Sequence, residues 1–285
     1  YKPVKRRELI GSIAGSTVLA GCQTGDSTDS ERESVIGLSD DPIKPVRVGI
    51  IGLGGRGSPM TKLIHAMYPD MGIIKAICDI RPERVQITSE YLSDRGQTPD
   101  RYAGSANVWK DVVEREDLDL IFVFTHWKPH TPISVAAMKN GKHVAVEVPA
   151  ATNLEEAWKL VDTAEKTQRH CMMLENVCYG EEELWVLNMV QNGVLGDITY
   201  GEGAYIHNLR ERMFGDAHYK RYRLRNHRRR QGNLYPTHGI GPLAQYMDIL
   251  RGDKFEYLIS MSSPEASLTK EASSLPPNHE FHGVD

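Results

Sequence analysis

Three glycines, Gly52, Gly54 and Gly57, have the spacing of a phosphate-binding turn and lie between a β-branched run and a helical pattern. Gly52 permits the turn, Gly54 lets the backbone approach a pyrophosphate, and Gly57 lets the helix pack on the strand. Asp79 ends the next apolar run about 20 residues later, where a carboxylate accepts hydrogen bonds from ribose hydroxyls and repels a 2′-phosphate. The pattern predicts a dinucleotide site that prefers NAD to NADP. The alternative is a glycine turn beside a surface aspartate.

A second set of polar and aromatic side chains follows the later apolar runs. Trp127, Lys128, Pro129 and His130 come directly after the third main run, and Glu147 comes at the end of the fourth. Because the carboxyl ends of parallel strands line the ligand crevice of an open sheet, we expect these residues to contact the cofactor, with Glu147 on the nicotinamide side. The alternative for Pro129 is that it only opens the next helix as its first residue.

Apolar runs that alternate with helical patterns position these residues. The alternation predicts an α/β domain with a doubly wound parallel sheet, a Rossmann fold, over residues 46–177. The runs predicted as strands are Val46–Ile51, Ile73–Cys78, Leu120–Thr125, His143–Val148 and Cys171–Leu174, and the predicted helices cover residues 60–67, 132–140 and 154–167.

Beyond Val177 the pattern changes. Residues 181–191 have the periodicity of an amphipathic helix, residues 198–206 alternate as a half-buried antiparallel strand does, and residues 256–261 resemble a further strand. A helix is also expected through residues 240–250. The prediction is a substrate domain of the α+β class over residues 178–285, with an open, mainly antiparallel sheet that is C-terminally incomplete.

The N-terminal residues resemble an export signal. Arg6 and Arg7 form a twin-arginine pair, and a weakly apolar stretch leads to Leu19-Ala20-Gly21-Cys22, which resembles a lipid-attachment site. We therefore expect residues 1–22 to be a signal peptide and residues 23–45 to be a flexible tether. The prediction is a lipoprotein exported by the twin-arginine route and anchored through Cys22 in the periplasm or at the cell surface. The alternative is a chance basic and apolar N-terminus in a cytoplasmic protein.

Composition excludes other classes. A net charge of −4 gives no overall sign of nucleic-acid binding, although residues 219–230 are dense in arginine. That segment is interpreted as a solvated or ion-paired face, in which Arg223 is a candidate to bind a sugar hydroxyl. Cys78, Cys171 and Cys178 form an odd set without metal-ligand spacing, which favours buried thiols and no metal. The sequence leaves open whether the chain forms a homo-oligomer.

Two further motifs carry a resemblance to a known family. Glu147-Val148-Pro149 lies where the glucose-fructose oxidoreductase and inositol dehydrogenase superfamily (Gfo/Idh/MocA) has Glu-Lys-Pro, whose lysine acts in acid/base chemistry. Val148 can do no proton transfer, which disfavours a simple alcohol dehydrogenase. The Glu147 motif, residues 175–179 and Tyr235-Pro236-Thr237-His238 together resemble glycoside hydrolase family 109, whose best-known members are NAD-dependent α-N-acetylgalactosaminidases.

The resemblance implies roles for individual residues. It implies NAD contact by Gly55, Arg56, Asp79, residues 127–130, Glu147, Val148 and Asn176, and sugar contact by Tyr205, Arg223, Tyr235, Pro236, Thr237 and His238. It also implies a further active-site tyrosine in a part of the family's second domain that this chain does not reach, so that an isolated product of these residues is expected to be inactive. The implied partner is a glycan or glycoconjugate substrate.

The implied chemistry is redox-neutral glycoside hydrolysis. Bound NAD oxidises the sugar at C3, a base removes the acidified C2 proton, the aglycone leaves C1, water adds and C3 is reduced again. His238 is the first candidate for proton transfer because its pKa of about 6.5 suits both directions. Tyr235, Tyr179 and Glu147 are the others. The alternatives are a helix-capping role for His238, core packing for the tyrosines, a sugar oxidoreductase of the same superfamily, or a non-catalytic sugar-binding lipoprotein.

Overall fold

The computed structural model describes residues 34–214, 222–227, 233, 236–262, 264 and 267–274. The chain divides into two compact units between Leu174 and Glu175, whereas the sequence pattern placed the boundary after Val177. Several residues with predicted roles lie outside the described residues: Arg6, Arg7, Cys22, Tyr235 and both ends of the arginine-rich segment, residues 219–221 and 228–230.

The first unit is built on one sheet of six parallel strands in the order β3-β2-β1-β4-β5-β6. The predicted doubly wound sheet is confirmed. The strand order reverses between β1 and β4, and ligands bind at this position outside the carboxyl ends of such sheets. The strands are β1 Val46–Ile51, β2 Gly72–Asp79, β3 Asp100–Ala103, β4 Leu120–Val123, β5 His143–Val146 and β6 Cys171–Met173.

Five helices cover the two faces of this sheet. The sequence pattern predicted three of them, and the bounds of the last, Leu154–Thr167, agree at both ends. It missed β3 and two helices, because these segments are short or largely polar and show little apolar periodicity. The helices are α1 Gly57–His65, α2 Pro82–Ser93, α3 Trp109–Val113, α4 His130–Lys139 and α5 Leu154–Thr167.

Side chains that alternate along the strands form two apolar cores, one on each face of the sheet. Ile77 belongs to one cluster and Cys78, the next residue, belongs to the other. Likewise Ile50 and Ile51 enter opposite clusters. Burial on both faces explains why these strands read as continuous apolar runs, and it holds the carboxyl ends of β1, β2 and β4 in fixed positions.

Part of the predicted tether contacts the first unit. Val35 packs against one of the apolar clusters, and Asp40 Oδ2 lies 3.2 Å from His170 Nε2 and 3.6 Å from His143 Nε2. The backbone N–H of His170 donates to His143 Nδ1, so a neutral His143 ring carries its proton on Nε2, facing Asp40. Burial and the neighbouring His170 lower the pKa of His143. Since a metal ion would have to displace that proton, this arrangement disfavours metal ligation through His143 Nε2.

The second unit consists of short helices in its described part. After a 3₁₀ helix at Asn176–Tyr179, the helices are α6 Glu181–Gln191, α7 Arg210–Phe214, α8 Tyr222–His227, α9 Pro236–Tyr246 and α10 Leu268–Ser273. The bounds predicted for α6 agree, whereas α9 begins and ends four residues before its predicted bounds. In the described part of the chain, no helix is both long enough and apolar enough to cross a bilayer.

The strands predicted at residues 198–206 and 256–261 are wrong for this structure. Both segments are described, and neither forms a strand. Alternating apolar residues make a strand only where a neighbouring backbone pairs with it, and neither segment has such a partner among the described residues. Most of their large side chains remain exposed, with Ile206 at 95% and Tyr257 at 81%. The predicted antiparallel sheet is therefore absent from the described part.

Candidate functional site

The turn between β1 and α1 requires glycine at two positions. Gly52 has a φ of +98°, and a Cβ there would lie 2.7 Å from the backbone oxygen of Phe124. A Cβ on Gly57 would lie 1.9 Å from the Gly52 oxygen, which is far inside van der Waals contact. The turn thus passes tightly over the end of β4 and directs α1 away from it. These are the roles that the sequence pattern assigned to the first and last glycines.

The middle of the turn is open. A Cβ on Gly55 would meet nothing within 4 Å, and one on Gly54 would meet only the end of the Arg84 side chain, at 3.1 Å. The N-terminus of α1 has no side-chain cap. Uncapped N–H groups of a helix attract an anion, and an open backbone admits it closely. The turn therefore fits the pyrophosphate of a dinucleotide.

Asp79 lies at the carboxyl end of β2, as predicted, and is buried. Its Oδ2 accepts the backbone N–H of Leu53 at 2.8 Å, and its Oδ1 accepts that of Arg81 at 2.9 Å. Arg84 Nη1 lies 3.5 Å from Oδ2. A carboxylate has about four acceptor positions, so ribose hydroxyls can still bind to it. Asp79 thus both holds the glycine turn and fits the adenosine ribose of NAD.

Glu147 closes the other side of the turn. Its backbone N–H donates to Val123, which continues the ladder of β4 and β5, and its buried carboxylate accepts Arg56 Nε at 2.6 Å. The sequence placed both residues at the cofactor but did not predict this ion pair. The Glu147 carboxylate, which was a candidate for proton transfer, is thus hydrogen-bonded to the Arg56 guanidinium. The adjacent Val148 is buried, and it brings no proton-transfer group to this edge.

Residues 127–130 lie at the same edge of the sheet. Trp127 and His130 are buried, while Lys128 is exposed. Both ring nitrogens of His130 face backbone oxygens, Nδ1 that of Pro149 at 2.8 Å and Nε2 that of Thr125 at 3.0 Å. Burial lowers the pKa of His130. A neutral imidazole has one N–H, so this histidine donates to one of the two oxygens and packs between the segments that follow β4 and β5.

In the second unit, a carboxylate that the sequence analysis did not select lies beside the predicted proton-transfer residue. Glu175 Oε1 and His238 Nδ1 are 2.5 Å apart, although 63 residues separate them. Only 5% of the Glu175 side chain and 11% of the His238 side chain are exposed. The position of Glu175 directly after the last predicted strand was the signal that could have identified it. A carboxylate behind an imidazole is an arrangement that orients a general base.

Glycines bring this pair together. His238 lies in the first turn of α9, and a Cβ on Gly241 in the next turn would lie 2.8 Å from Cys178 Sγ and 3.1 Å from Glu175 Cγ. On another side of α9, a Cβ on Gly203 would lie 2.5 Å from the Gly239 oxygen. Two backbone segments can therefore approach the start of α9 closely, and the 3₁₀ helix positions Glu175 against His238.

The predicted sugar-binding residues of this unit divide into two groups. Tyr205 belongs to the site, because its ring packs edge-on against His238 with centroids 4.7 Å apart and its hydroxyl lies 2.7 Å from His207 Nδ1. Thr237 Oγ1 and Glu175 Oε2 are buried without a hydrogen-bond partner among the described residues. Such atoms are uncommon in folded proteins, and a hydroxyl group of a sugar could satisfy the Thr237 oxygen.

The remaining candidates lie at the start of α9, on the 3₁₀ helix and in α8. Pro236 begins α9 and is exposed, as are Asn176 and Tyr179 of the 3₁₀ helix. Arg223 lies in α8, where its guanidinium is 5.6 Å from the ring centroid of Tyr222. Tyr235, the fourth candidate for proton transfer, lies outside the described residues. The structure therefore brings His238, Tyr205 and Thr237 together with Glu175.

Comparison with known proteins agrees with this division. Residues 46–175 match the family described as "Oxidoreductase family, NAD-binding Rossmann fold", and residues 179–285 match "Glycosyl hydrolase 109, C-terminal domain". The first unit is thus an NAD-binding Rossmann domain, and the turn and Asp79 fit that cofactor.

Similar proteins include an "Alpha-N-acetylgalactosaminidase" of Bacteroides fragilis, 47% identical over 247 residues, with 84% of this chain and 56% of that protein covered. A "Glycosyl hydrolase family 109 protein" of Shewanella pealeana is 42% identical over 278 residues, with 96% and 60% covered. The chain thus spans 60% or less of the length of these relatives. The structure of myo-inositol 2-dehydrogenase from Lactobacillus plantarum has the same fold, with a TM-score of 0.56, 18% identity, and 72% of this chain and 57% of that one covered.

Proposed function

Because the chain belongs to glycoside hydrolase family 109, we propose that the natural protein is a glycosidase that removes terminal α-linked N-acetylgalactosamine with tightly bound NAD. The observation that carries the proposal is the junction, in one chain, of an NAD-binding Rossmann domain with the C-terminal domain of a hydrolase family. The name of the Bacteroides fragilis relative supports the choice of sugar.

The first unit would hold the cofactor. The uncapped start of α1 and the open backbone at Gly55 would bind the pyrophosphate, and Asp79 would accept the ribose hydroxyls. NAD, when bound, supplies a reversible hydride acceptor for the C3 position of the sugar. Arg56 and Glu147 would hold the turn in its binding conformation through their ion pair.

The second unit would move the protons. His238 would remove the proton at C2 of the sugar, after which the aglycone leaves C1 and water adds there. Glu175 lies behind the imidazole, and Tyr205 and Thr237 would contact sugar hydroxyls. Tyr235 and Tyr179 remain candidates for the group that takes the proton of the C3 hydroxyl during oxidation and returns it during reduction. Val148 supports a hydrolase over a simple alcohol dehydrogenase, because the dehydrogenases that the chain resembles have an acid/base lysine at this position.

An assay with two readouts tests this function. The natural full-length protein without residues 1–22 is incubated with a chromogenic α-N-acetylgalactosaminide while released aglycone and NADH absorbance are both followed. The proposal predicts aglycone release without net accumulation of NADH. Accumulation of NADH without aglycone would instead indicate a sugar oxidoreductase, and binding of the sugar without either signal would indicate a non-catalytic binding protein.

We also propose export by the twin-arginine route and a lipid anchor on Cys22 in the periplasm or at the cell surface. The support is the order Arg6-Arg7, apolar stretch, Leu19-Ala20-Gly21-Cys22. A redox-neutral cycle suits such a location, because a cofactor that stays bound needs no external pool. Metabolic labelling with a radioactive fatty acid should mark the natural protein and leave a Cys22→Ala variant unlabelled. Label retained by that variant would exclude this anchor.

A further inference from the structure

We infer that Glu175 is a positioning residue that keeps the proton of neutral His238 on Nδ1 and so makes Nε2 the basic nitrogen at the sugar. The catalytic part of this inference rests on the proposed function, whereas the tautomer follows from the geometry of the second unit alone. No comparison assigns a role to Glu175.

The hydrogen bond fixes the tautomer. A carboxylate oxygen can only accept, so the 2.5 Å contact requires that His238 Nδ1 donates to Glu175 Oε1. A neutral imidazole has one N–H, and therefore its lone pair lies on Nε2. Both side chains are nearly excluded from water, which strengthens a charge-assisted hydrogen bond and leaves little competition from solvent.

The surrounding packing supports this orientation of the ring. The Tyr205 ring lies edge-on to the imidazole at 4.7 Å, and Gly241 holds α9 within contact distance of Glu175 Cγ. A rotated ring would lose its contact with the carboxylate while remaining beside it in a buried position. The pair is therefore held by both its hydrogen bond and its packing.

The hydrogen bonding of Glu175 is not that of an ordinary structural carboxylate. Its Oε1 accepts both His238 Nδ1 and the backbone N–H of Val177, at 2.5 and 3.1 Å, whereas Oε2 is buried without a partner among the described residues. Structural buried carboxylates are stabilised when both oxygens are satisfied. A buried carboxylate with an unsatisfied oxygen beside an imidazole is typical of sites where the imidazole takes part in catalysis.

Nitrogen NMR of protein labelled with ¹⁵N-histidine tests the tautomer directly. The resonances of His238 are assigned by their loss in His238→Asn. We expect the protonated Nδ1 pattern in the unchanged protein and in Glu175→Gln, whose amide oxygen still accepts. In Glu175→Leu, which removes the acceptor, we expect the protonated Nε2 pattern. Glu202→Gln alters an exposed carboxylate of the same unit and should leave the resonances of His238 unchanged.

Kinetics separates positioning from a structural role. Glu175→Leu should lower kcat about 100-fold and change KM by less than about twofold, with partial recovery in Glu175→Gln and no effect in Glu202→Gln. Thermal unfolding identifies variants that fail to fold, and Glu175→Gln, which keeps the shape and the acceptor, still tests the inference if Glu175→Leu is one of them.

The NMR and kinetic results separately test the tautomer of His238, the catalytic role of Glu175 and the proposed function. A protonated Nε2 in the unchanged protein, or a tautomer that Glu175→Leu does not alter, overturns the inference. A folded Glu175→Leu with an altered tautomer and full kcat overturns the catalytic part. The expected tautomer in a protein that never releases aglycone would sustain the role of Glu175 and reject the proposed function.

Discussion

Arg56 Nε donates to Glu147 Oε1 at 2.6 Å, so one ion pair joins the glycine turn to the residue that follows β5. On the opposite side, Asp79 accepts the N–H of Leu53 from the same turn. Two carboxylates at the ends of β2 and β5, the strands on either side of β1 and β4, therefore hold the turn from both sides. This relationship makes the turn rigid before a cofactor arrives, which lowers the entropy lost on binding.

Loss of the Arg56 partner should weaken cofactor binding. In Glu147→Ala the turn keeps its glycines but loses one of its two supports, and we expect the Kd for NAD to rise about tenfold. Arg56 is 44% exposed, so the effect on folding stability should be small. Asp100 lies on the outer strand β3, and Asp100→Ala, which breaks its ion pair with Arg115, is the matched control. Calorimetric titration with NAD measures the affinity of both variants. If Glu147→Ala bound NAD as tightly as Asp100→Ala, the role of the Arg56–Glu147 ion pair would be refuted.

Gly57→Ala should prevent normal folding of the first unit. The new Cβ would meet the Gly52 oxygen at 1.9 Å, and neither backbone can move without displacing β4. As for other strained core substitutions, we expect the free energy of unfolding to fall by about 3 kcal/mol or more. Gly55→Ala, whose Cβ meets nothing within 4 Å, should keep its unfolding midpoint. Chemical unfolding of Gly57→Ala and Gly55→Ala without cofactor measures both midpoints. Coinciding midpoints would contradict the steric role of Gly57.

The charge of Asp79 should set the choice between NAD and NADP. Asp79→Asn keeps an oxygen for the Leu53 N–H but removes the negative charge that repels a 2′-phosphate. Arg84 Nη1, which lies 3.5 Å from Asp79 Oδ2, then offers a nearby positive charge that Asp79 no longer neutralises. We expect the ratio of the two Kd values to shift toward NADP by about tenfold or more. Fluorescence titration with both cofactors provides the measurement. An unchanged ratio would mean that other groups select the cofactor.

The Asp119–Arg47 pair should make the free energy of unfolding depend on pH in acidic solution. The hydrogen bond from the Arg47 side chain holds the pKa of Asp119 below its ordinary value of 3.8, against the opposing effect of burial. Because the folded pKa is depressed, the contribution is present above about pH 4 and is lost as pH falls through the lower folded value. We expect Asp119→Asn to lose about 1 kcal/mol of unfolding free energy at pH 7 and progressively less below pH 4.

Urea unfolding of Asp119→Asn at a series of pH values checks this. Asp70→Asn, which changes an exposed aspartate in the turn after α1, should track the unchanged protein throughout. A deficit in Asp119→Asn that grew as the solution was acidified would have the wrong sign.

Two thiols should resist alkylation in the folded protein. Burial raises the pKa of Cys78 to about 12 and that of Cys171 to about 11, so the reactive thiolate is scarce near pH 8. We expect iodoacetamide to leave both unmodified in buffer and to modify both in urea. Peptide mass spectrometry measures each site. Rapid labelling of Cys78 in the native state would show that β2 is not packed as described.

The sequence predicted the parts of the fold that rest on local pattern. Continuous apolar runs identified β1, β2, β4 and β5, and the glycine spacing identified the turn, because steric demands on Gly52 and Gly57 are local. It did not identify β3, which has only four residues with mostly exposed side chains. Alternation at residues 198–206 predicted a strand, but pairing depends on a neighbouring backbone that a local pattern does not contain.

The functional pairs show the same limit. Arg56 and Glu147 are 91 residues apart, and Glu175 and His238 are 63 residues apart. Residue types and strand ends indicated that each could lie near a ligand. The contact within each pair depends on how the sheet order and the close approach at Gly241 bring distant segments together, and periodicity carries no information on that.

In the proposed function the sugar is cleaved by removal of its C2 proton and not by direct displacement at C1. Reaction of the natural full-length protein with an α-N-acetylgalactosaminide in D₂O, followed by mass spectrometry and NMR of the released sugar, distinguishes the two routes. We expect deuterium at C2 of the product. N-acetylgalactosamine released at a normal rate without deuterium at C2 would contradict it.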